Sequence, residues 1–473
     1  MRRRLRGPAL LCGLAAAIIG CTPQPPPPPG TPSPGAPGAG DPYYPDDGNG
    51  GYDALDYAVT VGYDPATHQL DGDAVVTARA TQALSRFNLD LRGLEVASVE
   101  VDGRPAEFAR EGDVELVITP AEPLAEGTEF HTRVRYSGTP RSTDDGQLGR
   151  NGWRPSVDGG AFVLGQPHSA AFWYPVNETP RDKATFHLTA RVPEGWTAVS
   201  IGRLAGTETA GGWTTTSWAE PTPVASYLTT LAVDRFRLEP GTLPDGTPVL
   251  HAFAPGTEGK VAEAARTGEI LEFLATRFGP YPQHAAGGIY LDDRIGYSLE
   301  TQGRPVYARW ADLETHVHEL AHQWYGNAVT VRSWADICLS ECLASYAQWL
   351  WAEGTGGQDL DARYRAAVER TRDDTGFWSA KLYDMGAGNE FAGVYDKGVL
   401  AMHALRRRIG EEAFHRVLPE WVDRHRGGTA SWPDFERFVT EVAGQDLREF
   451  LDAWFRGTSR PGDAHLFPGS LAG

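Results

Sequence analysis

His318, Glu319 and His322 stand in one short run, HELAH, and Glu341 follows after a gap of eighteen residues. No other feature of the 473-residue chain constrains its fold as much. On an α-helix two histidines four apart lie on one face, since 3.6 residues per turn bring i and i+4 into line. There they can offer two imidazole nitrogens to one metal ion, while Glu319, one step round, can reach a water on that ion. The stretch DLETHVHELAHQWYG reads as this helix. ADICLSECLASYAQWLWAEG reads as a second one, offering Glu341 as third ligand. Three protein ligands suit a single Zn2+ ion with an open fourth position, and the nearby carboxylate of Glu319 can move a proton for it. His316 lies about 200° round the helix from His318 and reads as a surface or packing histidine.

Ahead of this helical region the pattern changes. From Tyr52 to about Phe253 apolar residues alternate with polar ones between Gly, Pro and Asp turns, as in YAVTVGYDPATHQLDGDAVVTARATQ. That argues for an all-β sandwich over 52–253. After Pro255 the spacing becomes helical, as in EGKVAEAARTGEILEFLATRFGPYP, and it stays mostly helical to about 460. Ser431 in SWPD is placed to cap one of these helices. The expected architecture is therefore multi-domain: a β sandwich over 52–253, a mostly α-helical catalytic domain over 254–460, and a tail over 461–473.

The beginning of the chain reads as an address. Arg2, Arg3, Arg4 and Arg6 precede a short apolar run, Pro8 to Ile19, and IIGC ends at Cys21. The run is too short for a finished transmembrane helix and has the order of a secretory signal. IIGC resembles a bacterial lipobox, which implies cleavage after residue 20, lipid on Cys21, and an extracytoplasmic protein anchored to the cell membrane. Residues 21–51, rich in Pro and Gly, read as a disordered tether. Loss of the four arginines takes the formal charge from −19 to −23. So acidic a body speaks against nucleic acid as a partner. Only Cys338 and Cys342 then remain in the folded body, which is no disulfide scaffold.

With these residues in view, HELAH and the distant Glu341, set in HELAHQWYGN and WADICLSECLASY, resemble the zinc aminopeptidases of the M1 (gluzincin) family, in short actinobacterial-type form. The resemblance covers most of 52–460 and implies a thermolysin-like catalytic domain with a short helical end. The family's large C-terminal helical domain is expected to be missing. GYSLE, Gly296 to Glu300, stands where the family has Gly-Ala-Met-Glu-Asn. The resemblance implies that Glu300 and Gly296 help bind substrate, with Glu300 holding its free amino group. VYDKG matches the family's Tyr-Glu-Lys-Gly segment and implies that Tyr395 stabilises the oxyanion. The activity implied is zinc-dependent removal of N-terminal residues from peptides with a free N-terminus, with Glu319 as general base.

The chain departs from the family pattern in three places. Where many members carry a second acidic clamp for the amine, GQPHSAAFWYP gives Gln166 and His168, expected beside the substrate. Leu299 replaces the Met of the amine-binding segment. Cys338 and Cys342 replace a tryptophan and a glycine around Glu341; two reduced thiols packed in the helix are the favoured reading, ahead of a disulfide, metal contact by Cys338 or a decayed site. Rival functions are a non-peptide zinc hydrolase, such as an epoxide hydrolase, and a catalytically silent peptide-binding lipoprotein.

Overall fold

The computed structural model describes residues 30–144 and 148–472. The expected signal sequence over 1–20 and Cys21, the expected lipid site, lie outside the described residues. Alternation sets the first domain. In the strand Tyr52–Asp64, Tyr57, Val59, Val61 and Tyr63 point inward and are buried, while Thr60 between them faces solvent. This strand pairs antiparallel with Gln69–Ala80 and parallel with Ala184–Pro193, at the centre of an eight-stranded sheet. A four-stranded and a five-stranded sheet complete the domain, and all three contribute to one core. The β-rich first domain is thus as expected.

Its boundary is not. The strands Arg237–Thr242 and Pro248–Phe253 pair with Ala286–Tyr290 and Val306–Tyr307 in a separate four-stranded sheet. Pro248–Phe253 runs parallel to Ala286–Tyr290, and the crossover between them contains the helix Thr267–Phe278. These two strands therefore belong to the catalytic domain, which begins near residue 235 rather than 254. A period of two identifies a strand but not the sheet that takes it.

Helices then dominate. Helix Leu313–Ala321 packs against helix Cys338–Gly356, which in turn packs on Lys397–Ile409. Ser431 caps Trp432–Ala443 in a reciprocal box with Asp434, as SWPD suggests. Residues 461–472 are not a loose tail: Leu466 and Leu471 are buried, and the Tyr364 hydroxyl donates to Leu466 O at 2.6 Å.

Residues 30–51 contradict the reading of a disordered tether. Ser33–Pro34 adds a strand beside Leu84–Asp90. Beyond it the segment runs across both domains. On the β side, the Asn49 side chain donates to Asp90 at 3.1 Å, and Asp47 meets Arg92 at 3.3 Å. On the helical side, Asp41 accepts from Trp334 N at 2.9 Å and the Tyr43 hydroxyl donates to Asp384 at 2.8 Å. A buried polar group left without its partner costs about 1–3 kcal/mol, so these contacts hold the segment down as a strap.

One buried histidine gives the helical domain an acid limit. His403 is fully buried, with Nε2 2.9 Å from Asp361 and Nδ1 2.9 Å from the Tyr346 hydroxyl. Burial above all, opposed by Asp361, lowers its pKa to about 4. The unfolded chain takes up this proton near pH 6.5, and the folded one only near 4. The His403 contribution to stability is thus complete above about 6.5 and drains away as the pH falls toward 4. Urea midpoints are expected to fall across this window, and less steeply in His403→Gln; parallel profiles would contradict the assignment.

Candidate metal centre

Local sequence places each candidate ligand. Asp312 caps the helix Leu313–Ala321 by accepting from Thr315 N at 2.9 Å. Val317, Leu320 and Ala321 bury one face, which turns His318 and His322 toward the helix Cys338–Gly356. Ser333 caps the short turn Trp334–Asp336 leading into that second helix, whose first turn carries Glu341. The Nε2 atoms of His318 and His322 lie 3.0 Å apart. They stand 3.3 and 3.5 Å from Glu341 Oε2.

The proton positions follow from the neighbours. His322 Nδ1 is 3.0 Å from Tyr325 O, which can only accept, and 2.9 Å from Ser340 Oγ. Nδ1 of His322 therefore carries a proton, and Nε2 is the nitrogen that faces the corner. Without a metal ion the neighbouring carboxylates, Glu341 first, outweigh burial and raise the His322 pKa to about 10, so Nε2 is protonated as well and must give up that proton to bind an ion. Glu341 Oε2 is buried and makes no hydrogen bond. Burial alone would push the Glu341 pKa up, but His322 and His318 hold it at about 2. Two imidazole nitrogens and a carboxylate oxygen so converged offer an ion three donor atoms. The donor set fits one zinc ion.

Around this corner lies a cleft of about 420 Å³, lined among others by Glu319, Glu300, Gln166, Gly296 and Tyr395. One donor atom each of Glu300, Glu319 and His322 falls within 4.8 Å of the others. Burial, ahead of the neighbouring Glu300 and Glu341, pushes the Glu319 carboxyl well above its usual range, against the pull of His322. Gln166 Nε2 donates to Glu300 Oε1 at 3.3 Å. Tyr395 is 39% exposed, its ring centre 6.0 Å from that of His318. Enclosure in the cleft, and then Glu341, Glu300 and Glu319, raise its pKa well above 10, so the phenol stays protonated.

Sequence reading missed what steadies Glu300. Its backbone oxygen accepts from Asn327 Nδ2 at 2.7 Å and Gln323 Nε2 at 3.3 Å. Both residues lie in HELAHQWYGN, so the signal sat beside the metal motif. His168 is a correction: it does not line the cleft but pairs through Nδ1 with Asp47 of the strap at 2.7 Å. His316 is a packing histidine, stacked on Tyr307 with ring centres 4.0 Å apart.

The cysteines also correct the sequence reading. Cys338 and Cys342 form a disulfide across the first helical turn, not two reduced thiols. Their Cα atoms come to 4.8 Å, inside the range a bridge requires. A regular helix keeps Cα atoms four apart at about 6 Å, so this first turn is tightened. Both sulfurs are bonded, so neither is a free ligand. A Cβ on Gly398 would meet Cys342 Sγ at 2.5 Å. The glycine of VYDKG thus lets the helix after Tyr395 close onto the bridge.

A β-rich domain set against a helical one, with an HExxH helix and a downstream glutamate in one cleft, is an arrangement of the gluzincin type. Residues 53–228 match the peptidase M1 N-terminal domain and 307–454 the peptidase family M1 domain. The M1 zinc metallopeptidase of Deinococcus radiodurans superposes with a TM-score of 0.84 at 30% identity, covering 90% of this chain and 98% of that one. A mutant of that enzyme bound to a Tyr-Ser-Ala substrate gives the same TM-score and identity, covering 90% and 99%. The probable aminopeptidase 1 of Saccharolobus solfataricus is 25% identical over 81% of this chain and 50% of its own length. The chain spans about half the length of the curated relatives it matches. It belongs to peptidase family M1.

Proposed function

We propose that this protein is a zinc aminopeptidase that removes N-terminal residues from peptides. One observation carries the reading: the buried carboxylate of Glu300 lies within 4.8 Å of donor atoms of Glu319 and His322. An anion fixed beside the reacting centre selects a substrate whose cationic amine is one residue from the scissile bond. His318, His322 and Glu341 would hold the zinc, which when bound supplies Lewis acidity toward a carbonyl and toward water. Glu319 takes the proton of the attacking water and returns it to the leaving amine. The Tyr395 hydroxyl donates a hydrogen bond to the oxygen where negative charge develops. Gln166 orients Glu300 but brings no second negative charge, so the amine rests on Glu300 alone.

Paired substrates test this. Aminoacyl amides with a free amine are expected to be cleaved and their N-acetylated twins refused. Glu300→Gln should lower kcat/KM for the free amines by about 10–100-fold, the worth of a charge-assisted hydrogen bond. Equal cleavage of both twins would sink the exopeptidase assignment.

We infer that the enzyme works outside the cytoplasm, anchored to the membrane by lipid on Cys21. The basic-then-apolar start and IIGC support this, as does the Cys338–Cys342 disulfide, since such bonds persist mainly in oxidising compartments. In the native host, Cys21→Ser should move the protein from the membrane fraction to the soluble one. Unchanged membrane retention would refute the anchor.

A further inference from the structure

Beyond Tyr395 the cleft opens into a second cavity of about 370 Å³, and the two share Tyr395 and Asp396 in their walls. Glu300, Gln166 and Gly296 line the first cavity and not the second. A peptide whose amine is held at Glu300 and whose first carbonyl reaches Tyr395 must send its remaining residues past Tyr395. The second cavity is the space that lies there.

Its far wall is basic. Arg363 and Arg370 project from the helix Leu360–Arg370, seven residues apart and so on one face. The Arg363 guanidinium lies over the Trp349 ring, 4.5 Å from its centre, and donates to Gln358 Oε1 at 2.8 Å. Those contacts fix its position without neutralising it. Arg370 is exposed and makes no ion pair among the described residues. The two guanidinium groups are close enough to act on each other: burial chiefly, and Arg370 as well, lower the Arg363 pKa, against the pull of Glu314. Asp396 at the shared mouth is the one acidic group lining the second cavity. Two arginines without a bonded carboxylate stand out in a chain of net charge −19. Trp349 and Phe377 give this wall apolar surface as well.

The geometry points to this cavity as the downstream half of the substrate site, where Arg363 and Arg370 bind a carboxylate of the peptide. A guanidinium fork matches a carboxylate in shape as well as charge. The terminal carboxylate of a short peptide is the group expected there, so the preferred substrates are short peptides rather than the ends of long chains. This assignment rests on the aminopeptidase reading and adds a substrate class to it.

The test compares Ala-Ala, Ala-Ala-Ala and Ala-Ala-Ala-Ala, each as free acid and as C-terminal amide, with alanine p-nitroanilide as a substrate lacking any downstream residue. Ala-Asp-Ala amide and Ala-Ala-Asp amide offer a side-chain carboxylate instead. For at least one length, the acid is expected to exceed its amide about tenfold in kcat/KM, mainly through KM. In Arg370→Ala, and again in Arg363→Ala, that ratio should fall toward one, with Arg370→Lys keeping part of it. A preference shown only by the Asp-containing amides would overturn the terminal carboxylate as the ligand. Equal cleavage of acids and amides by the native protein, or a ratio unmoved in both alanine variants, would overturn the basic subsite while leaving the aminopeptidase standing. Failure to cleave the anilide and every peptide would reject the aminopeptidase reading, and this inference with it.

Discussion

Glu319→Gln is expected to lower kcat about 10²–10⁴-fold, the usual worth of a positioned general base, while the protein still folds and binds its metal. Gln keeps the shape of the side chain and loses only its ability to take a proton. Glu319 is not in the ligand corner of His318, His322 and Glu341, whose atoms converge on their own. Its backbone oxygen, which accepts from Gln323 Nε2 at 3.3 Å, is unaffected by the change. Zinc content by atomic absorption and an unchanged urea midpoint should accompany the lost turnover. A silent peptide-binding protein would have no use for a base at this position. Turnover within threefold of the native rate would therefore count against the mechanism, and zinc loss would mean that Glu319 serves as a ligand.

His322→Ala is expected to abolish activity by a different route, through loss of the metal itself. His322 is the most tightly oriented of the three ligands, its Nδ1 between Tyr325 O and Ser340 Oγ. Changing an outer partner of a metal-bound histidine typically costs about 10–100-fold in affinity. Removing the histidine should cost more, so zinc should be lost on dialysis against a weak chelator that spares the native protein. Glu341 would then be a buried carboxylate deprived of the neighbour that contributes most to keeping it ionised. A lower stability than that of the metal-stripped native protein is expected. Stoichiometric zinc retained by His322→Ala would mean that the ion sits elsewhere.

The convergence of the three candidate ligands was legible because helical periodicity converts spacing directly into direction: HELAH and the gap to Glu341 need nothing remote to make sense. Glu300 and Tyr395 were reached through short segments resembling a known family, and both line the cleft. His168 was misplaced because sequence cannot say which way a side chain turns after a strand ends, and its partner Asp47 is 121 residues away. Remote partners also explain the error over residues 30–51. Proline and glycine cannot build a core of their own, but Asp41, Tyr43, Asp47 and Asn49 borrow one, and Tyr43 finds Asp384 at a separation of 341 residues. The disulfide ranked behind two reduced thiols because sequence gives the spacing of two cysteines along a helix but not how far one turn closes.

The strap also bears on how far from its proposed anchor the protein would work. Composition alone would grant a spacer of some thirty residues, with a catalytic domain ranging freely around its point of attachment. Chain sewn across both domains from Ser33 onward cannot pay out as slack. From the proposed lipid on Cys21 to Ser33 there are twelve residues, a span of at most about 40 Å when fully extended. The cleft would thus sample peptides in a thin layer next to the membrane, on a short leash and in a restricted range of orientations.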